Sequence, residues 1–90
     1  MRVKFFAFIR EMTGCPEITM PVVPTVGDLA RSLGERYGPK LRNKLLASDD
    51  KLGPEIIILI NGRHVAHLGE INAALKDDDT VQIFPVVAGG

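Results

Sequence analysis

Ninety residues make one domain and leave no room for a second core. Apolar residues form 46% of the chain, and 11 basic side chains balance 11 acidic ones, which removes the simplest electrostatic argument for nucleic acid or an anionic membrane as partner. The single Cys15 excludes an internal disulfide and fits a reducing compartment.

Met1 to Arg10 lacks the charged, apolar and small-residue order of a secretory signal. The longest apolar run, Ile56 to Ile60, is far too short to span a bilayer. A cytoplasmic protein is therefore expected.

In chain order, Val3 to Ile9 is rich in Phe, Val and Ile and reads as a strand ending at Arg10-Glu11. Thr13 to Pro16 is turn chemistry, and Ile18, Met20 and Val22 then alternate as a second strand, making an N-terminal hairpin. Thr25, with Asp28 three residues on, marks a helix start, and Leu29, Ala30, Leu33 and Tyr37 share one stripe before Gly38-Pro39 stops the helix. Lys40 to Ala47 reads as a second, short helix, followed by a polar loop from Ser48 to Pro54.

Glu55 to Asn61 is apolar on both faces, as a central strand is, and Asn61-Gly62 predicts a tight hairpin into a short strand, Arg63 to His67. One turn around Ile71 to Leu75 and a polar turn at Lys76 to Asp79 lead to the last strand, Thr80 to Val86. This order predicts an α+β domain over residues 1–86, one mixed sheet packed on one main helix. A flexible tail, 87–90, is expected to follow.

Two closing glycines, Gly89 and Gly90, arise by chance in about one chain in two hundred. Placement raises their interest, because they follow directly on the apolar strand Val81 to Val86. A Gly-Gly tip lacks Cβ atoms and can thread a narrow channel into another protein's active site. Its carboxylate is a poor electrophile, so chemistry at Gly90 requires activation, for which an acyl-adenylate made with ATP is suited.

The run Val3-Lys4-Phe5-Phe6-Ala7 with Arg10-Glu11 and Gly14 resembles the opening of the MoaD family, the small sulfur-donating subunits of molybdopterin synthase. Pro24-Thr25-Val26 with Leu29, the strand end Ile60-Asn61-Gly62 and the close Phe84-Pro85-Val86-Val87-Ala88-Gly89-Gly90 extend the likeness over essentially the whole chain. The family is related to the ThiS carriers of thiamine biosynthesis.

Several features depart from the MoaD pattern. Val86 stands where many relatives have a second proline, the Lys40 to Pro54 segment is long, and Asp78 replaces a turn glycine. They leave open a carrier for thiamine, cysteine or tRNA thiolation, a protein modifier joined to lysines, or a β-grasp module whose diglycine is inert.

The resemblance implies a ubiquitin-like β-grasp fold and a cycle. An E1-like adenylyltransferase activates Gly90 with ATP, and a persulfide enzyme supplies sulfur. The resulting thiocarboxylate serves an acceptor, which is a cyclic pterin in the large subunit for molybdopterin synthase. The chain is then no catalyst by itself and binds no cofactor of its own.

Phe84 points away from Ile83 in the last strand, and Phe6 and Phe8 likewise point away from Phe5 and Ile9. If the first and last strands are neighbours, these rings form one exposed apolar patch. With Pro85 and Val86 at the tail's root, they are the expected partner-docking residues. His64 is a weaker candidate for the same role. His64 and His67, three apart on a strand with no cysteine or carboxylate cluster, do not make a metal site. Cys15, in a turn without a basic neighbour, reads as incidental.

Overall fold

The computed structural model describes residues 1–86. Five strands form one mixed sheet. They are β1 (Arg2–Phe5), β2 (Glu17–Thr19), β5 (Ile56–Ile60), β6 (Arg63–His64) and β7 (Thr80–Pro85), in the spatial order β2-β1-β7-β5-β6. The central β7 runs parallel to β1 and antiparallel to β5, while β2 and β6 are antiparallel edges. Helix α2 (Val26–Tyr37) lies against one face. There Val26, Leu29, Ala30 and Leu33 share a core with Val3, Phe5, Ile58, Ile60, Val81 and Ile83.

The start of α2 follows the reading from sequence. Thr25 Oγ1 accepts the Asp28 N–H at 3.2 Å and donates to the Asp28 carboxylate at 2.9 Å, which satisfies one of the orphan donors of the first turn. The Arg31 guanidinium, 3.0 Å from Asp28 Oδ1, holds the Asp28 carboxyl below its ordinary pKa, with the Thr25 hydrogen bond acting in the same sense. The Asn61-Gly62 turn is also as expected. Ile60 pairs with Arg63 across it, and both turn residues take positive φ, 51° and 84°, as a two-residue turn between twisted strands requires.

The N-terminal hairpin needs correction. The strand ends at Phe5, and α1 (Ala7–Thr13) follows with Gly14 as its left-handed C-cap. β1 and β2 are antiparallel neighbours, but a helix joins them. Phe8, Ile9 and Met12 fall at helical spacing and pack on the core. That periodicity was outweighed by the β-propensity of the Phe-rich run.

Three smaller boundaries shift as well. The second helix, α3, spans Pro39–Leu45 with its proline in the first turn. The supposed loop after it contains a small hairpin, β3 (Leu46–Ser48) and β4 (Lys51–Leu52). The strand expected to reach His67 stops at His64, where a 3₁₀ turn, Val65–His67, begins.

The turn at Lys76 to Asp79 is tied to the hairpin by a buried carboxylate. Asp79, 6% exposed, accepts the Lys76 N–H at 2.7 Å and Asn61 Nδ2–H at 2.8 Å, while Asn61 Oδ1 accepts the Thr80 N–H at 2.9 Å.

Candidate functional site

Among the described residues no helix covers the second face of the sheet, and register shows which side chains share it. Lys4, Gln82, Leu59 and His64 are cross-strand partners in one row, and Phe84 pairs with Ile57 in the next. Phe6, just past β1, keeps its N–H on Ile83 C=O at 3.2 Å. Its ring stacks on Phe84 with centroids 4.2 Å apart and planes 9° from parallel. Ile57, Leu59, Phe6 and Phe84 are all half-buried, so a contiguous apolar strip runs across the face opposite α2.

Phe6 and Phe84 are therefore brought together as the alternation predicts, but Phe8 is not with them. It rides on α1, half-buried against the core, with Lys44 Nζ 5.5 Å from its ring centroid. Ile57 and Leu59 were not expected on this strip. Their signal was present in the sequence, since a strand apolar on both faces in a fold with one main helix leaves one apolar face without an internal cover.

His64 is exposed, with its side chain turned to local use. Its Nδ1 accepts the Ala66 N–H at 2.9 Å and so caps the 3₁₀ turn. The His67 ring stands 6.3 Å away, edge to face. Among the described residues no group of three or more His, Cys, Asp or Glu side chains gathers as a metal site would require.

The root of the C-terminal segment is held by the sheet. Pro85 is buried opposite Ile56. Val86, 46% exposed, donates its N–H to Glu55 C=O at 2.8 Å. The Glu55 carboxylate accepts from Lys44 Nζ at 2.7 Å, and that ammonium draws its pKa below the usual range. Lys44 thus links the Phe8 ring to the strand that anchors Val86. Gly89 and Gly90 lie outside the described residues.

Cys15 is partly buried, its Sγ 3.8 Å from Tyr37 Oη, and burial together with this contact pushes the Tyr37 phenol above its ordinary pKa. No helix among the described residues is long and apolar enough to cross a membrane.

The sequence profile of the ThiS family matches residues 3–90. The chain belongs to the ThiS family.

Small archaeal modifier protein 3 of Haloferax volcanii is 41% identical to it, over 100% of this chain and 98% of that one. Among solved structures, small archaeal modifier protein 1 of Methanosarcina acetivorans superposes with a TM-score of 0.84 at 37% identity, covering 99% of this chain and 94% of that one. CysO of Amycolatopsis orientalis, solved in complex with BexX, gives a TM-score of 0.83 at 28% identity, with 99% and 98% covered. The fold is accordingly ubiquitin-like β-grasp, and this ThiS-family chain belongs with small ubiquitin-like carriers and modifiers that are not themselves catalytic.

Proposed function

We propose that this chain is a ubiquitin-like carrier whose Gly90 carboxyl is activated by an E1-like enzyme, and that the activated end both carries sulfur and modifies protein lysines. Full-length similarity to an archaeal modifier protein, in a chain whose sequence closes on Gly89-Gly90, supports this reading most. The modifier role takes precedence over the molybdopterin synthase role implied by the MoaD-like residues, because that relative is named as a modifier.

The chemistry starts at the terminal carboxylate. Its oxygen attacks the α-phosphorus of ATP, releasing pyrophosphate and leaving an acyl-adenylate with AMP as a good leaving group. A persulfide's terminal sulfur then attacks the acyl carbon and expels AMP. A second thiol cleaves the S–S bond, and the carrier is left with a thiocarboxylate. A lysine amine attacking the activated carbonyl instead gives an isopeptide bond. ATP is a substrate of the partner and not a group this chain holds.

The described residues supply docking and presentation. Phe6, Phe84, Ile57 and Leu59 form the apolar strip a partner covers, with His64 at its rim. Pro85 and the Val86–Glu55 hydrogen bond fix where the tail departs. Gly89 keeps the last step into the partner's pocket slender.

Two incubations test the reading. With a cognate E1-like enzyme, ATP and a sulfur donor, the protein gains the mass of one sulfur replacing one oxygen. In a lysate of the source cells, conjugates appear that carry Gly90 on target lysines. Sulfur gain without any conjugate, together with co-purification with a molybdopterin synthase large subunit, assigns the narrower donor role.

A further inference from the structure

The outer face of the sheet changes character along its strands. Nearest the tail stand Phe6, Phe84 and Ile57, and alternation puts the exposed Val86 on the same face beyond them. Two residues back on each strand, about 7 Å away, the next row is Lys4, Gln82, Leu59 and His64. Arg2 and Thr80 begin the row behind that. An apolar half at the tail therefore borders a cationic half, and Leu59 carries the apolar strip into the row of Lys4.

The charges in that half do not balance. β2 places Glu17 directly across from Lys4, yet the Glu17 carboxylate serves Arg2. Its Oε2 accepts from Arg2 Nε at 3.1 Å and from Nη2 at 2.8 Å. Among the described residues Lys4 has no carboxylate within ion-pair distance, so two cations share one anion. Asp77 and Asp78 are exposed in the turn before Thr80, on the far side of the Arg2 row from Lys4. Lys4 is half-buried. A lysine so placed lays its methylene stem on the sheet and holds its ammonium at the surface.

We propose that Lys4 is a specificity-determining residue for the activating enzyme, selecting a docking surface that carries a carboxylate about 7 Å from its apolar patch. The inference rests on the carrier reading above. A partner that covers Phe6, Phe84 and Leu59 also closes over Lys4, because Leu59 and Lys4 share a row. Water is then excluded around the ammonium, which strengthens a pair with an incoming carboxylate and makes an unpaired ammonium costly. A partner apolar throughout leaves that ammonium buried alone, and a basic one repels it. A second copy fits less well, since it brings the same excess of cations against Lys4. Arg2 keeps Glu17 in either case, so the vacancy belongs to Lys4.

The test measures Kd of the whole protein for its E1-like enzyme without ATP, and sulfur loading separately at saturating enzyme. Lys4→Met is expected to raise Kd about tenfold and Lys4→Glu about a hundredfold, while both load sulfur as the wild type does once saturated. Added salt weakens binding of the wild type more than that of Lys4→Met. Lys40→Glu, the same charge change on α3, which packs on α2 away from this face, leaves Kd unchanged. A wild type that loads sulfur while both Lys4 variants keep its Kd overturns the proposal and leaves the carrier reading standing. So does an equal weakening by Lys40→Glu, which assigns the effect to net charge, or a melting temperature of Lys4→Met lowered by about 10 °C, which assigns it to folding. A wild type that never loads sulfur removes the carrier reading and this proposal with it.

Discussion

The rings of Phe6 and Phe84 lie stacked, centroids 4.2 Å apart, although the two residues stand 78 positions apart in the chain. Parallel pairing of β1 with β7 brings them together, because Phe5 stands opposite Ile83 and each aromatic ring is the next residue along. The first and last strands thereby build the outer face jointly, at the point where the chain departs toward Gly90.

Because both rings are half-exposed, their truncation affects binding more than folding. Phe84→Ala and Phe6→Ala each lower affinity for the activating enzyme about tenfold, while their coupling in a double-mutant cycle of stability is about 1 kcal/mol. Isothermal titration with the partner and thermal melts of the four proteins check both numbers. Equal affinity of all four proteins contradicts a docking role for the strip.

Asp79 is buried with two hydrogen-bond donors that depend on it. Replacing it by Ala leaves the Lys76 N–H and the Asn61 side chain without their acceptor, at a cost of about 2 kcal/mol. For a domain of this size, that lowers the melting temperature by about 10 °C. A denaturant melt of Asp79→Ala reads it directly.

Acid weakens the start of α2. The Asp28 pKa is lowered in the folded state by Arg31 and Thr25. Its contribution is therefore present above the unfolded carboxyl value, about 4, and is lost as pH falls through the folded value below that. The carboxylate is partly open to solvent, so the effect is small. Asp28→Asn flattens the melting-temperature profile below about pH 4, and Thr25→Ala costs about 1 kcal/mol at neutral pH through the lost cap. Melts of wild type and both variants across acid and neutral buffers separate the two effects.

Gly53 tolerates no Cβ. Gly53→Ala forces the hairpin away from the Lys44 carbonyl and destabilises the domain by about 2 kcal/mol. Chemical denaturation of the variant provides the measurement.

Much of this architecture was legible in the residues. The Thr25–Asp28 cap, the apolar stripe of α2 and the Asn61-Gly62 turn are short-range signals with one physical solution each, and each formed as read. The helix α1 was not, because the β-propensity of the apolar run from Phe5 to Ile9 outweighed the helical spacing of Phe8, Ile9 and Met12. The site was half legible. Alternation in the last strand put Phe84 outward, but grouping it with Ile57 and Leu59 requires register, which lies in the pairing and not in either strand alone.

The carrier account rests on Gly90, and intact mass spectrometry after activation tests it most directly. The full chain and a Gly90 deletion are each incubated with the E1-like enzyme, ATP and a persulfide donor. The full chain is expected to gain the mass of sulfur for oxygen, and the deletion to stay unchanged with its melting temperature preserved, since among the described residues the hydrophobic core cluster is built from Met1 to Ile83. A full chain that keeps its original mass with every E1-like enzyme of its source, or a deletion that gains sulfur equally, contradicts the account.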